Sequence, residues 1–170
     1  MASLIEELID VLDKENTEYE GLYALSTEKT DYIVKNDLDK LSALLEREQE
    51  AIGRVNNLEK KRTEVAGDIA NVLNVRDNEL TVRKLIEMLS GQKAEQAKLS
   101  EVYEKLKWTL DKVARVNESN RMLIKESLDM IQFEINLAQS VRSVPETANY
   151  NKGVYSSNNS YDGTGFDAKQ

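Results

Sequence analysis

The chain has no cysteine, no histidine, one proline and one tryptophan among 170 residues. Without cysteine there are no disulfides, no thiolate metal sites and no sulfur nucleophile. Without histidine it lacks the side chain that most often moves protons near neutral pH and most often ligates transition metals. Basic residues are also short, 23 against 31 acidic ones, for a net charge of -8. That balance argues against a phosphate-binding surface, so nucleic acid is not expected as a partner. No apolar run approaches the ~20 residues a membrane-spanning helix needs, which excludes direct membrane insertion. The opening Met1-Ala2-Ser3-Leu4-Ile5-Glu6-Glu7 is acidic where a secretion signal is basic. A cytoplasmic location is therefore expected.

What is present is charge and aliphatic carbon in helical order. The sequence is 32% charged and 40% hydrophobic, with few helix breakers before position 143, a composition that suits long amphipathic helices. Ser3-Leu4-Ile5-Glu6 fits a capping box. From there Leu4, Ile5, Leu8, Val11, Leu12, Tyr19, Leu22, Tyr23, Ile33 and Val34 fall at three- and four-residue steps. Lys35-Asn36-Asp37 breaks the pattern and offers Asp37 as an N-cap. A second stripe then runs through Leu38, Leu41, Leu45, Glu48, Ile52, Val55, Glu59, Arg62, Ala66, Ile69 and Leu73. At ~1.5 Å per residue it makes a rod of roughly 58 Å that needs a partner helix along its length. Thr81 caps a short helix carrying Leu85, Ile86, Met88 and Leu89, which ends at Ser90-Gly91.

The third long segment, about Gln92 to Val141, carries Leu99, Val102, Leu106, Leu110, Val113, Asn117, Asn120, Ile124, Leu128, Ile131, Ile135 and Ala138. Short linkers between such helices favour antiparallel neighbours. The expected fold is all-α: an elongated antiparallel three-helix bundle or coiled coil with a short extra helix. Pro145 ends the helical pattern. The expected division is a helical domain over 1–143 and a flexible, aromatic-containing tail over 144–170, disordered when unbound.

Catalytic patterns are missing. Glu46, Glu48 and Glu50, or Glu6, Glu7 and Asp10, read as solvated helix faces. There is no calcium loop, phosphate-cradling glycine loop or nucleophile elbow. Neither enzymatic activity nor a cofactor is expected. Lys60-Lys61-Arg62 reads as ion-pairing residues, and Trp108 as a core-edge residue. The seam of the third helix turns polar at Asn117 and Asn120, which either fixes a register or lines a water-filled gap. Beyond them Met122, Leu123, Ile124, Leu128, Met130, Ile131, Phe133, Ile135 and Leu137 cover more than one helix face. A helix apolar over so wide an arc is enclosed by neighbours or presents a groove to a partner.

Several of these pieces, taken in order, resemble the FlgN family of flagellar type III export chaperones. They are Leu45-Glu46-Arg47-Glu48-Gln49, then Leu58-Glu59-Lys60-Lys61-Arg62, then Leu80-Thr81-Val82 with Leu85-Ile86. Asn117-x-x-Asn120-x-x-Leu123-Ile124 and the tail run Tyr150-Asn151-Lys152-Gly153 complete the likeness. The resemblance implies a non-catalytic cytoplasmic chaperone. Such a protein binds hook-associated (hook–filament junction) proteins through their C-terminal amphipathic helices, prevents premature assembly and delivers them to a membrane protein of the export gate. It implies client binding by Asn117, Asn120, Leu123, Ile124, Leu128, Ile131 and Ile135, and gate docking by Tyr150. The alternative is a structural coiled coil whose heptads make a homodimeric scaffold.

Overall fold

A computed structural model describes residues 1–76 and 79–143. The tail over 144–170, with Tyr150, lies outside the described residues. Four α-helices follow in order: α1 (Ala2–Val34), α2 (Leu38–Leu73), α3 (Val82–Met88) and α4 (Lys93–Arg142), with a 3-10 turn at Leu89–Gly91. No strand occurs among the described residues. By compactness the chain divides into two units, Met1–Asp129 and Met130–Gln170.

The helix ends are built locally. Asn36 and Asn74 hold left-handed backbone, φ 53° and 54°. At α1 the Asp37 and Asn36 amides donate to the Tyr32 and Ile33 carbonyls, and at α2 Val75 and Asn74 donate to Ala70 and Asn71. Both are Schellman closures in which asparagine takes the place that glycine usually fills. Asp37 then caps α2, accepting from the Lys40 amide at 3.2 Å, and Thr81 caps α3 by accepting from the Lys84 amide at 3.2 Å. The expected capping box does not form. The helix runs back to Ala2 with Met1 as N-cap, which puts Ser3 inside the first turn.

In the first unit α2 runs antiparallel to α1, and α4 runs parallel to it. The α1–α2 sense follows from pairs such as Lys61 with Glu7 and Lys29 with Glu48. The α1–α4 sense follows from hydrogen bonds joining Thr109 to Asn16 and Asn120 to Thr30. This is the expected up-down-up bundle. Its apolar core brings together Ile5, Leu8 and Leu12 of α1, Val65 and Ile69 of α2, Leu85 and Leu89, and Leu99 and Leu106 of α4. Each large aliphatic buried there is worth about 1.5–3 kcal/mol. A second, smaller cluster of Leu22, Ala51 and Val55 belongs to α1 and α2 alone.

The sequence-predicted stripe of α2 is half right. Val55 and Ile69 are buried as expected, and so is Glu48, which its place on the stripe put in the seam but its grouping with Glu46 and Glu50 put wrongly in solvent; the alternating partners are Leu44, Ala51 and Val65. Leu45 and Ile52 stand 44% and 40% exposed, and Leu38 is 73% exposed. On α4 the buried position is Thr109 and not Leu110, and Trp108, expected at the core edge, is 63% exposed. At 51 and 109 the smaller of two adjacent residues faces α1, a choice periodicity could not make, whereas at 65 and 66 the larger, Val65, is the buried one.

Candidate interaction surface

The α1–α4 contact past the main core is polar. Thr109 Oγ1 donates to Asn16 Oδ1 at 2.7 Å, and Ser26 Oγ donates to Asn117 Oδ1 at 2.9 Å. Thr30 Oγ1 donates to Asn120 Oδ1 at 2.5 Å, and Asn120 Nδ2 donates to the Ser26 carbonyl at 2.8 Å. Asn16, Ser26, Thr109 and Asn120 are buried, so their mutual pairing satisfies groups that would be costly if stranded. The two seam asparagines therefore set the register of α4 on α1. Asn120 spends both ends of its amide on α1, while Asn117 is exposed and uses only its oxygen.

Beside this seam lies a charged one between α1 and α2. Lys29 Nζ is 2.6 Å from Glu48 Oε2, with both side chains mostly covered. Glu15 is 1% exposed. Arg62 Nε lies 3.2 Å from its Oε1, yet that oxygen has no hydrogen-bond partner of good geometry. Burial pushes the Glu15 carboxyl above its ordinary pKa of 4.5, Arg62 pulls it back, and the Glu59 charge adds to the rise. Tyr19 donates to Glu59 Oε1 at 3.3 Å; burial first, then the Glu59 and Glu15 charges, raise its pKa as well. Of the basic cluster at 60–62, Lys61 pairs with Glu7 at 2.7 Å and Arg62 with Glu15. Ion pairing is what the sequence led one to expect of it.

The remaining named positions lie on α4 and face water. Within the first unit Leu123 is half-buried, while Met122, Ile124 and Leu128 are exposed. Within the second unit Met130, Ile131, Phe133, Ile135, Leu137 and Val141 are all exposed, and no residue from 130 to 143 is buried. Of the two outcomes open to an apolar arc of this width, exposure is the one found. Sequence reasoning missed Leu45 and Ile52 as surface residues, because heptad spacing assigned them to the seam. It also missed Lys112, which sits 4.0 Å over the Trp108 ring and 4.6 Å over that of Tyr23. No group of three or more acidic residues able to hold a metal ion occurs among the described residues.

The described helices include none long and apolar enough to cross a membrane. Across residues 1–154 the sequence matches the family described as FlgN protein. It is also similar to the uncharacterized protein YvyG of Bacillus subtilis (strain 168), 29% identical over 133 residues, which covers 78% of this chain and 76% of that protein. No solved structure matches. The match takes in all four helices, the asparagine seam and the open apolar stretch of α4. The chain belongs to the FlgN family, a family of flagellar export chaperones.

Proposed function

We propose that this chain holds hook-associated proteins in the cytoplasm, keeps them from assembling early and delivers them to the membrane gate of the type III export apparatus. The observation that carries the reading is the exposure of large aliphatic and aromatic side chains on α4, with Leu128 60% and Phe133 66% exposed. Apolar side chains gathered in this way mark a surface that another molecule covers. The clients' C-terminal amphipathic helices supply the complement, an apolar stripe that must be shielded until export. Leu123, Ile124, Leu128, Ile131 and Ile135 receive that stripe. Asn117 offers its amide hydrogens to the client, and Asn120 acts from behind by holding α4 in register. Methionines at 122 and 130 let the surface adapt to more than one client. Tyr150 docks the export gate.

The test is calorimetric titration of the full chain with the C-terminal helix of a hook–filament junction protein from the same organism. Covering one aliphatic side chain contributes about 1.5–3 kcal/mol, so Leu128→Asp and Ile131→Asp should each weaken binding at least tenfold. Wild-type affinity in both variants, with helicity retained, refutes the surface. Tyr150→Ala should leave client affinity intact and weaken docking to the gate; equal loss of both sinks the division of labour. Light scattering addresses the homodimeric scaffold, which predicts a stable dimer that the same two aspartates dissociate.

A further inference from the structure

We infer that a groove between α2 and α4, floored by α1, receives one amphipathic helix of the client as a fourth helix of the first unit, an assignment that rests on the chaperone reading above. In that unit the buried residues of the core shared by α1, α2 and α4 end at Leu12, Val65 and Leu106, with the half-buried Tyr19 packed against them. Farther along, α1 and α2 keep their own apolar cluster, and α4 is tied to α1 by the hydrogen bonds of the asparagine seam. The space between the outer helices at this level is an open groove of about 450 Å³. Leu22 of α1 forms its floor, Ile52 one wall, and Val113, Asn117, Arg121 and Ile124 the other.

Each wall carries a second apolar stripe beside the one turned to α1. On α2, Leu45 and Ile52 are one heptad apart and 44% and 40% exposed. On α4, Leu110 and Ile124 are two heptads apart, both 39% exposed, with Asn117 midway. A helix that touches one neighbour needs one stripe; a helix in a four-helix bundle touches two and needs a wider one. α2 and α4 have the wider pattern, and α1 fills only one of the two places.

Charge identifies the occupant. Lys29 and Glu48, at the groove, neutralise each other at 2.6 Å. Arg121 is left with a weak contact to Glu118 at 3.9 Å. The occupant is thus an α-helix with apolar residues every three to four positions and a carboxylate beside them to meet Arg121. A second copy of this chain is disfavoured, since it brings a net charge of -8 against another of -8.

The absence of cysteine makes the test direct, because Ile52→Cys introduces a single site for an environment-sensitive fluorophore. The probe is the C-terminal segment of the organism's hook–filament junction protein, added to the labelled full chain. Its emission should shift to the blue on saturation, and in unlabelled chain Ile52→Glu should weaken binding about tenfold or more. Binding with no shift at position 52, together with wild-type affinity in Ile52→Glu, overturns the groove while leaving the α4 surface standing. Should Ile52→Glu lose helicity, the label alone decides. A blue-shifted emission in the dilute, client-free chain puts another segment of this chain in the groove. A shift that grows with chain concentration alone puts a second copy there. Either result overturns the assignment. If the wild-type chain binds no junction segment, the chaperone reading itself fails and the groove assignment falls with it.

Discussion

Asn120→Ala gives a direct test of the polar seam. Asn120 is 3% exposed, donates to the Ser26 carbonyl at 2.8 Å and accepts from Thr30 Oγ1. Truncation removes both bonds. It strands little, because the Thr30 hydroxyl is also 3.1 Å from the Ser26 carbonyl and keeps that acceptor. Two hydrogen bonds at a net 0.5–1.5 kcal/mol each put the loss at about 1–3 kcal/mol. For a chain of this length that lowers the melting temperature by roughly 2–4 °C per kcal/mol. Asn120→Leu keeps the branching of asparagine but is larger and cannot hydrogen-bond, so in this buried site it should also cost about 1–3 kcal/mol. Asn117→Ala, at an exposed site, removes a single hydrogen bond from Ser26 and should cost about 0.5–1.5 kcal/mol. Urea denaturation followed by circular dichroism at 222 nm measures all three. If Asn120→Ala unfolds within about 0.5 kcal/mol of wild type, or no earlier than Asn117→Ala, the seam does not fasten α4 and the reasoning is refuted.

Two further substitutions probe the charged seam. Burial raises the Glu15 pKa, so with rising pH the folded state gives up that proton later than the unfolded chain does. Stability from this site is full below the ordinary carboxylate pKa and is lost as pH rises through the raised one. Glu15→Gln should therefore gain on wild type between about pH 4 and pH 7. A constant difference between the two proteins across parallel melts at those pH values contradicts it. Glu48→Ala leaves Lys29 largely covered without its counter-charge and should cost about 2–3 kcal/mol. Asp10→Ala, removing the exposed pair with Lys14, should cost about 0–0.5 kcal/mol. Equal midpoints for these two variants would show that burial does not set the worth of these pairs.

How much of this was legible in the sequence depends on the range of the interaction. The turns were readable because their chemistry is local: Asp37 and Thr81 cap the helices that follow them. Along α2, spacing fixed Glu48, Val55 and Ile69 as buried but could not choose between Leu44 and Leu45 or between Ala51 and Ile52. Hydrophobicity favours Ile52 over Ala51, yet the smaller side chain is the one that faces α1. The buried polar residues of α1 were least legible. Asn16 and Ser26 look like gaps in a stripe until Thr109 and Asn117 come into reach from 93 and 91 residues away. The wide apolar arc of α4 was plain in the sequence. Whether neighbours enclose it was a question of packing, and it is exposed.

The parallel seating of α4 on α1 also has a kinetic side. The α1–α2 ion pair of Arg47 with Glu28 spans 19 residues, whereas the bonds that fasten α4 span 90 to 94. Closing the longer loop costs more entropy and adds little apolar burial past Leu106 to offset it. During synthesis the α1–α2 hairpin can thus form before α4 has been made, and α4 then settles onto a finished template. In the finished protein this stretch opens more readily than the apolar core, since water can stand in for each hydrogen bond as it parts. Amides between Thr109 and Asn120 should exchange hydrogen faster than those around Ile69.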